Sequence, residues 1–421
     1  MSLLLTRLAL AAAALLLPST AAAAPAFGPP ATVPGVSGAA TFTSASTGAD
    51  GTTLLAGHAA QGSAQRPFVA IGTGGTLPSR TVTLGGSGLI TAGPTIAADD
   101  AGHAAIVWAR SKTVFLVRCS GGTCGRATTV GTSGVLPDPV VALQPGTGRT
   151  TVLWRGRARG GANRLQWRIT TNNRLGATHT LGELGDDPRL GTDATGKSVA
   201  IWVAHAIRAS DPRGLRTAAR RVGAFTRPAT VQTGPVADPQ LVTGPGGETI
   251  AAWITSPSFD VSTPSAQAMV TTRTPSRAFT RPVAVGTGDT GAIALARSSS
   301  GFATLALDRQ LGATSAVPSA ATRAPGGAFG PVAPLAAAQF VPTVFGPSAA
   351  VDLHGTATVA WSSDAGTFAA RADAGAAFAP PQQLSSDTSL TNVQHPVLAA
   401  SGSRTVVAWT THSGGAVAAA G

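Results

Sequence analysis

The stretch "TATVAWSSD", residues 356–364, ends a short run of Thr, Ala and Val on a tryptophan. Successive side chains of a strand point to opposite faces, so Ala357, Val359 and Trp361 share one face while Thr358 and Ala360 share the other. Neither face carries a charge, and a strand apolar on both faces must be covered on both. An isolated antiparallel sheet with one wet side cannot provide that cover. Sheets packed radially, each between two neighbours, can provide it.

The slot recurs along the chain. Trp108, Trp154, Trp202, Trp253, Trp361 and Trp409 each close such a run, and Gly57 after "GTTLLA" and Leu307 after "FATLA" take the place in two degenerate copies. The eight slots lie 46 to 54 residues apart, the interval expected of propeller blades. In seven copies a glycine lies six residues before the slot, as in "AGHAAIVW" and "HGTATVAW", and Ser403 after Gly402 stands there in the eighth. That glycine marks a hairpin turn, because it reaches positive φ at little cost.

A second signature lies between the slots: "AFGPPATV" at 26–33, "AFTRPATV" at 224–231, "AFTRPVAV" at 278–285, "AFGPVAPL" at 328–335 and "AFAPPQQL" at 377–384. Proline removes a ladder donor, which places these segments on the outer edge of a sheet. Each unit therefore reads as strand A, tryptophan-bearing strand B, strand C and outer strand D. The signature at 26–33 precedes the first full unit, whereas the last unit, from His395, has only A, B and C. The fold expected is all-β: an eight-bladed β-propeller of four-stranded antiparallel blades, its ring closed by the N-terminal strand, with seven blades as the alternative count.

Composition adds an address. Residues 1–23 have an early Arg7, an apolar run and small residues around Ala21 to Ala24, which reads as a signal peptide ahead of a single propeller domain at 24–421. No later segment has ~18 uninterrupted apolar residues, so no transmembrane segment is expected. The expectation is a secreted monomer. The formal charge of +12 comes almost wholly from arginine, but the arginines are scattered and no nucleic-acid motif accompanies them, so nucleic acid is not the expected partner. Cys119 and Cys124 in "FLVRCSGGTCGR" are expected to bridge a hairpin in an oxidising compartment.

These repeats resemble the secreted bacterial propellers of the sialidase-like, BNR-type class. In "ADAGAAF", Asp373, Gly375 and Phe378 have the spacing of an Asp-box, which in that class is a structural turn; the resemblance implies fold rather than activity. Sialidases of that class use a tyrosine nucleophile, and this chain has no tyrosine. Other propeller glycosidases use two carboxylates. The only glutamates are Glu183 and Glu248. No catalytic set is identified. The favoured reading is a non-catalytic binding or interaction module for an extracellular glycan, acidic ones included, or for a protein; a glycan-active hydrolase is the alternative.

"GTDATGKS", residues 191–198, satisfies the phosphate-loop pattern but leads into a strand instead of a helix. No cofactor is expected, and a cation at the channel mouth is left open. In a propeller the D-to-A and B-to-C loops share one face around the central channel. There Asp138, Asp187 and Asp238 recur as Asp-Pro at strand A entries, a ring of carboxylates suited to a cation or polar ligand. The long stretches after Trp154 and Trp202 add Arg155, Arg157, Arg159, His205, Arg208 and Arg213, whose guanidinium forks suit an acidic ligand.

Overall fold

The computed structural model describes residues 26–421 except 37–38, 49, 75, 158–162, 172–173, 183–184, 205–213, 222, 256–265, 276, 313–314, 341–345, 388–394 and 412–414. The expected signal peptide lies outside the described residues. The described chain forms eight antiparallel sheets, each built on the order A-B-C-D. Blades 1 to 7 occupy residues 40–83, 90–132, 140–180, 185–233, 236–284, 289–340 and 348–385. Blade 8 is made from 397–420 together with Ala31–Thr32. The strands A of successive blades touch in a closed cycle that includes blades 8 and 1, so strand A lines the channel.

The tryptophans are buried: Trp154, Trp202, Trp253 and Trp361 are 0% exposed. Each packs into the preceding blade. Trp361 of blade 7 meets Ala306, Ala320 and Leu335 of blade 6, and Trp409 of blade 8 meets Ala360, Ala369 and Leu384 of blade 7. Strand C supports two of the rings from the facing register position. Phe115 stacks on Trp108 at 5.5 Å, and Phe368 on Trp361 at 5.8 Å.

Gly57 is filled by a different route. A Cβ there would lie 2.1 Å from the Thr41 carbonyl oxygen, so no side chain fits. Its register partner is Phe68, which meets Phe42 edge-on at 5.8 Å and closes the wedge between blades 8 and 1. The aromatic has moved from strand B to the facing strands.

The A–B turns are as expected. Gly51, Gly102, Gly148, Gly196, Gly247, Gly301, Gly355 and Gly402 all have φ between 58° and 101°. In three of these turns an aspartate ending strand A ties down the loop amides. Asp193 Oδ1 accepts the N–H groups of Thr195 and Lys197, each at 2.9 Å; Asp99 and Asp352 do the same for their turns. In "GTDATGKS" the carboxylate of Asp193 thus takes amides that a phosphate loop would offer to its anion.

The N-terminal strand completes blade 8. Ala31 pairs with Ala418 and Thr32 with Val417, and Gly28 donates its N–H to the Ala420 carbonyl at 2.9 Å. Gln382 of blade 7 clamps the Phe27 backbone twice, accepting its N–H at 2.7 Å and donating to its carbonyl at 2.9 Å. The Phe27 ring is buried beside Trp409, and Val33 is buried between blades 8 and 1. Eight residues of chain therefore join three blades. Cys119 and Cys124 form the expected disulfide, and among the described residues no helix is long and apolar enough to cross a membrane.

Trp361→Ala should lower the unfolding free energy by about 3–5 kcal/mol, the usual cost of emptying a buried aromatic site. Urea unfolding checks this, and a loss below ~1 kcal/mol would mean the indole does not hold blades 6 and 7 together.

Candidate functional site

At the entry to strand A the blades share one sequence position, occupied in blades 1 to 8 by Thr43, Gly93, Asp138, Asp187, Asp238, Gly291, Gly346 and His395. In six blades a proline follows. Asp138, Asp187 and Asp238 have φ of 44°, 47° and 46°. In blades 4 and 5 the A–B register shifts at this point. The left-handed region costs a residue with a Cβ roughly 1–2 kcal/mol, so three consecutive blades hold strain at the channel mouth.

Elsewhere the position locks blade to blade. Thr43 donates to the Pro94 carbonyl at 2.5 Å, and His395 Nδ1 lies 2.8 Å from the Gly346 carbonyl. A Cβ on Gly346 would come within 2.7 Å of the Ala292 methyl. Asp238 also locks: Oδ2 accepts the Ile293 N–H of blade 6 at 3.0 Å, and Oδ1 accepts from Gln240 at 2.6 Å.

Asp138 and Asp187 differ. Neither carboxylate makes a hydrogen bond with a described residue. Asp187 is exposed and Asp138 half-buried. Burial pushes the Asp138 carboxyl up, and the charge of Asp187 adds to this, against the opposing pull of Arg189 and Arg155. Two adjacent carboxylates with unlike surroundings therefore sit at the mouth. Among the described residues no three His, Cys, Asp or Glu side chains converge on a common metal position.

Arg155 is engaged as a strut. It follows the tryptophan slot on strand B of blade 3 and pairs with Asp186 of blade 4. Arg157 is exposed on the same strand. Arg159, His205, Arg208 and Arg213 lie outside the described residues.

The other end of the channel opens into a cavity of about 400 Å³ where the strands A finish. It is lined mostly by Ala, Ser, Thr, Gly and Pro, with Asp99, Arg297 and the exposed Asp100 at its wall. Asp99 is committed to the amides of its own turn and to Gly146 N–H at 2.8 Å. Arg297 pairs with Glu248 at 3.2 Å, and Arg323 pairs with the same carboxylate at 2.6 Å. Burial pushes the Glu248 carboxyl up, but the two arginines outweigh it and hold it below the ordinary range. Of the two glutamates, then, Glu248 is a structural ion-pair partner and Glu183 lies outside the described residues.

One further carboxyl escaped the sequence reading. Asp308 follows the Leu307 slot and shares a strand face with Ala306, which packs on blade 7. It is 4% exposed, and its Oδ1 has no hydrogen-bond partner among the described residues. Burial pushes its pKa up to about 7.

No protein-family model matches the chain, and no curated protein matches it. Solved structures do. A Mycobacterium tuberculosis puromycin-hydrolyzing peptidase aligns with a TM-score of 0.50 and 12% identity over 88% of this chain, which spans 57% of that enzyme. The polysaccharide lyase Uly1 aligns with a TM-score of 0.47 and 10% identity over 76% of this chain and 88% of its own. The microbial sialidase Hz136 gives 0.39 and 11%, over 84% and 73%. At these identities the likeness is one of fold alone.

Asp187→Gly should raise the unfolding free energy by up to ~1 kcal/mol, because glycine relieves the left-handed backbone and no hydrogen bond is lost. Asp238→Gly should instead lower it by about 1–2 kcal/mol through loss of the Ile293 and Gln240 bonds. Equal effects in thermal unfolding would contradict the division between the two.

The folded chain holds a proton on Asp308 that the unfolded chain, with an ordinary value of 3.8, releases as pH rises from about 4 to about 7. This stability is complete below about pH 4 and lost as pH rises through 7. Relative to the native chain, Asp308→Asn should thus gain roughly 2–4 kcal/mol between pH 4 and 8. A difference independent of pH would place the carboxyl in contact with solvent or a cation.

Proposed function

We propose that this chain is an exported, non-catalytic binding module that holds a glycan at the mouth formed by blades 3 to 5. Asp138 and Asp187 carry the reading. They occupy neighbouring blades, stand in strained backbone at the channel mouth, and have carboxylates that the described fold does not use. Strain of this kind persists where the surroundings impose it and collects at functional positions. Carboxylates so placed accept hydrogen bonds from sugar hydroxyls. Arg155 and Arg157 border the arc, and Asp238 braces it. Export rests on the leader-like residues 1–23 and on the Cys119–Cys124 bridge, since disulfides persist in oxidising compartments.

Binding of the purified chain to an array of neutral and acidic glycans, beside Asp138→Asn/Asp187→Asn, tests the reading. Neutral members should bind and lose tenfold or more in the variant. Unchanged binding would refute the site. Binding confined to acidic members and lost in Arg155→Ala/Arg157→Ala would transfer it to the arginines.

A hydrolase is the second reading, favoured by the raised Asp138 carboxyl beside Asp187. Carboxyl groups driven apart in proton affinity are the usual means of dividing acid and base roles. New reducing ends from a bound glycan, absent with Asp138→Asn, would establish it. An intact glycan after long incubation leaves the module.

A further inference from the structure

The face opposite the aspartates carries the A–B and C–D turns. Between blades 2 and 3 it is cut by a groove of about 610 Å³, bordered by Arg118, Gln144, Thr147, Arg149 and Thr171. A hollow of about 110 Å³ continues it past Arg126 and Thr128, with Arg118 and Thr170 common to both. Among the described residues three arginines line the combined groove, and no carboxylate does.

The fold places these arginines together by two devices. Arg118 precedes Cys119 and Arg126 follows Cys124, so the disulfide, with a Cα separation of 4.0 Å, pins both to one hairpin. The bond from Gly125 N–H to the Arg118 carbonyl, 2.9 Å, narrows it further. Arg149 arrives from the next blade at the start of strand B. The guanidinium groups of Arg126 and Arg149 make no hydrogen bond or ion pair with a described residue, and both residues are exposed. Burial and the charge of Arg149 both lower the proton affinity of Arg220, and burial lowers that of Arg118.

We propose that this groove binds the oxyanions of an acidic polysaccharide. Planar guanidinium forks pair bidentately with carboxylate and sulfate groups. The volume is that of a site for a few sugar rings, and Thr128 and Thr171 share its lining with the arginines. Single-stranded nucleic acid fits less well, because among the described residues no aromatic ring lines the groove to stack on a base. The inference is independent of the aspartate mouth, which lies on the other face and has the opposite charge.

The test measures affinity of the full chain for a sulfated polysaccharide, a polyuronate, a neutral polysaccharide of similar length and duplex DNA, at low and physiological salt. Arg118→Gln/Arg126→Gln/Arg149→Gln is compared with Arg277→Gln/Arg281→Gln/Arg404→Gln, which removes the same charge from exposed arginines of blades 5 and 8. The groove variant should lose tenfold or more for one or both acidic polymers, and the control less than threefold. Which polymer is affected identifies sulfate or carboxylate. If the triple variant does not fold, Arg149→Gln alone should still lose threefold or more. Asp138→Asn/Asp187→Asn should leave polyanion binding unchanged, which separates failure of this inference from failure of the mouth. Equal losses in groove and control variants, no binding of either acidic polymer at low salt, or tighter binding of DNA would overturn the proposal.

Discussion

Sheets packed radially leave a wedge that widens away from the axis, and filling that wedge is the constraint on which this molecule depends. The buried indole on strand B fills it at six of the eight interfaces. Burying an aromatic side chain of this size contributes roughly 4–6 kcal/mol by area. Leu307 leaves more of the wedge to its neighbours between blades 5 and 6, and Phe42 with Phe68 closes the joint between blades 8 and 1. That last joint is also where Val33 of the N-terminal strand is buried. Ring closure and wedge filling thus meet at one interface.

Much of this was legible because it repeats. A tryptophan every fifty residues, a glycine six before it and a proline-bearing edge strand each report a local requirement: a wedge, a positive φ, an absent donor. Gly57 was opaque for the same reason in reverse. Its slot is filled by Phe68, and only the strand register reveals that the two face each other. A pattern along one strand cannot report a filler carried by its neighbour.

The candidate site was legible in position but not in role. "DP" at three strand entries put three aspartates at one position of the fold, yet Asp238 is a strut to Ile293 while Asp138 and Asp187 are not hydrogen-bonded by described residues. Arg155 pairs with Asp186, which lies 31 residues away on the next blade. Glu248 is held by arginines 49 and 75 residues distant. Charge pairing between blades is set by the closed ring, so it stays hidden until the ring is built. Asp308 is the extreme case: formally charged in the sequence, it is buried where its neutral form is favoured. What results is a propeller with unlike faces, one presenting two carboxylates at the channel mouth and the other presenting arginines in a groove.

The central claim is that residues 26–33 hold the whole ring, and hydrogen exchange measured peptide by peptide tests it most directly. The chain lacking those residues would be compared with the complete one under native conditions. Closure by this strand predicts that the strand B amides of all eight blades lose protection by a similar factor, because opening one joint exposes every wedge to sequential unpacking. Loss confined to 397–420, or no loss anywhere, would contradict it and reduce the N-terminal strand to a decoration of blade 8.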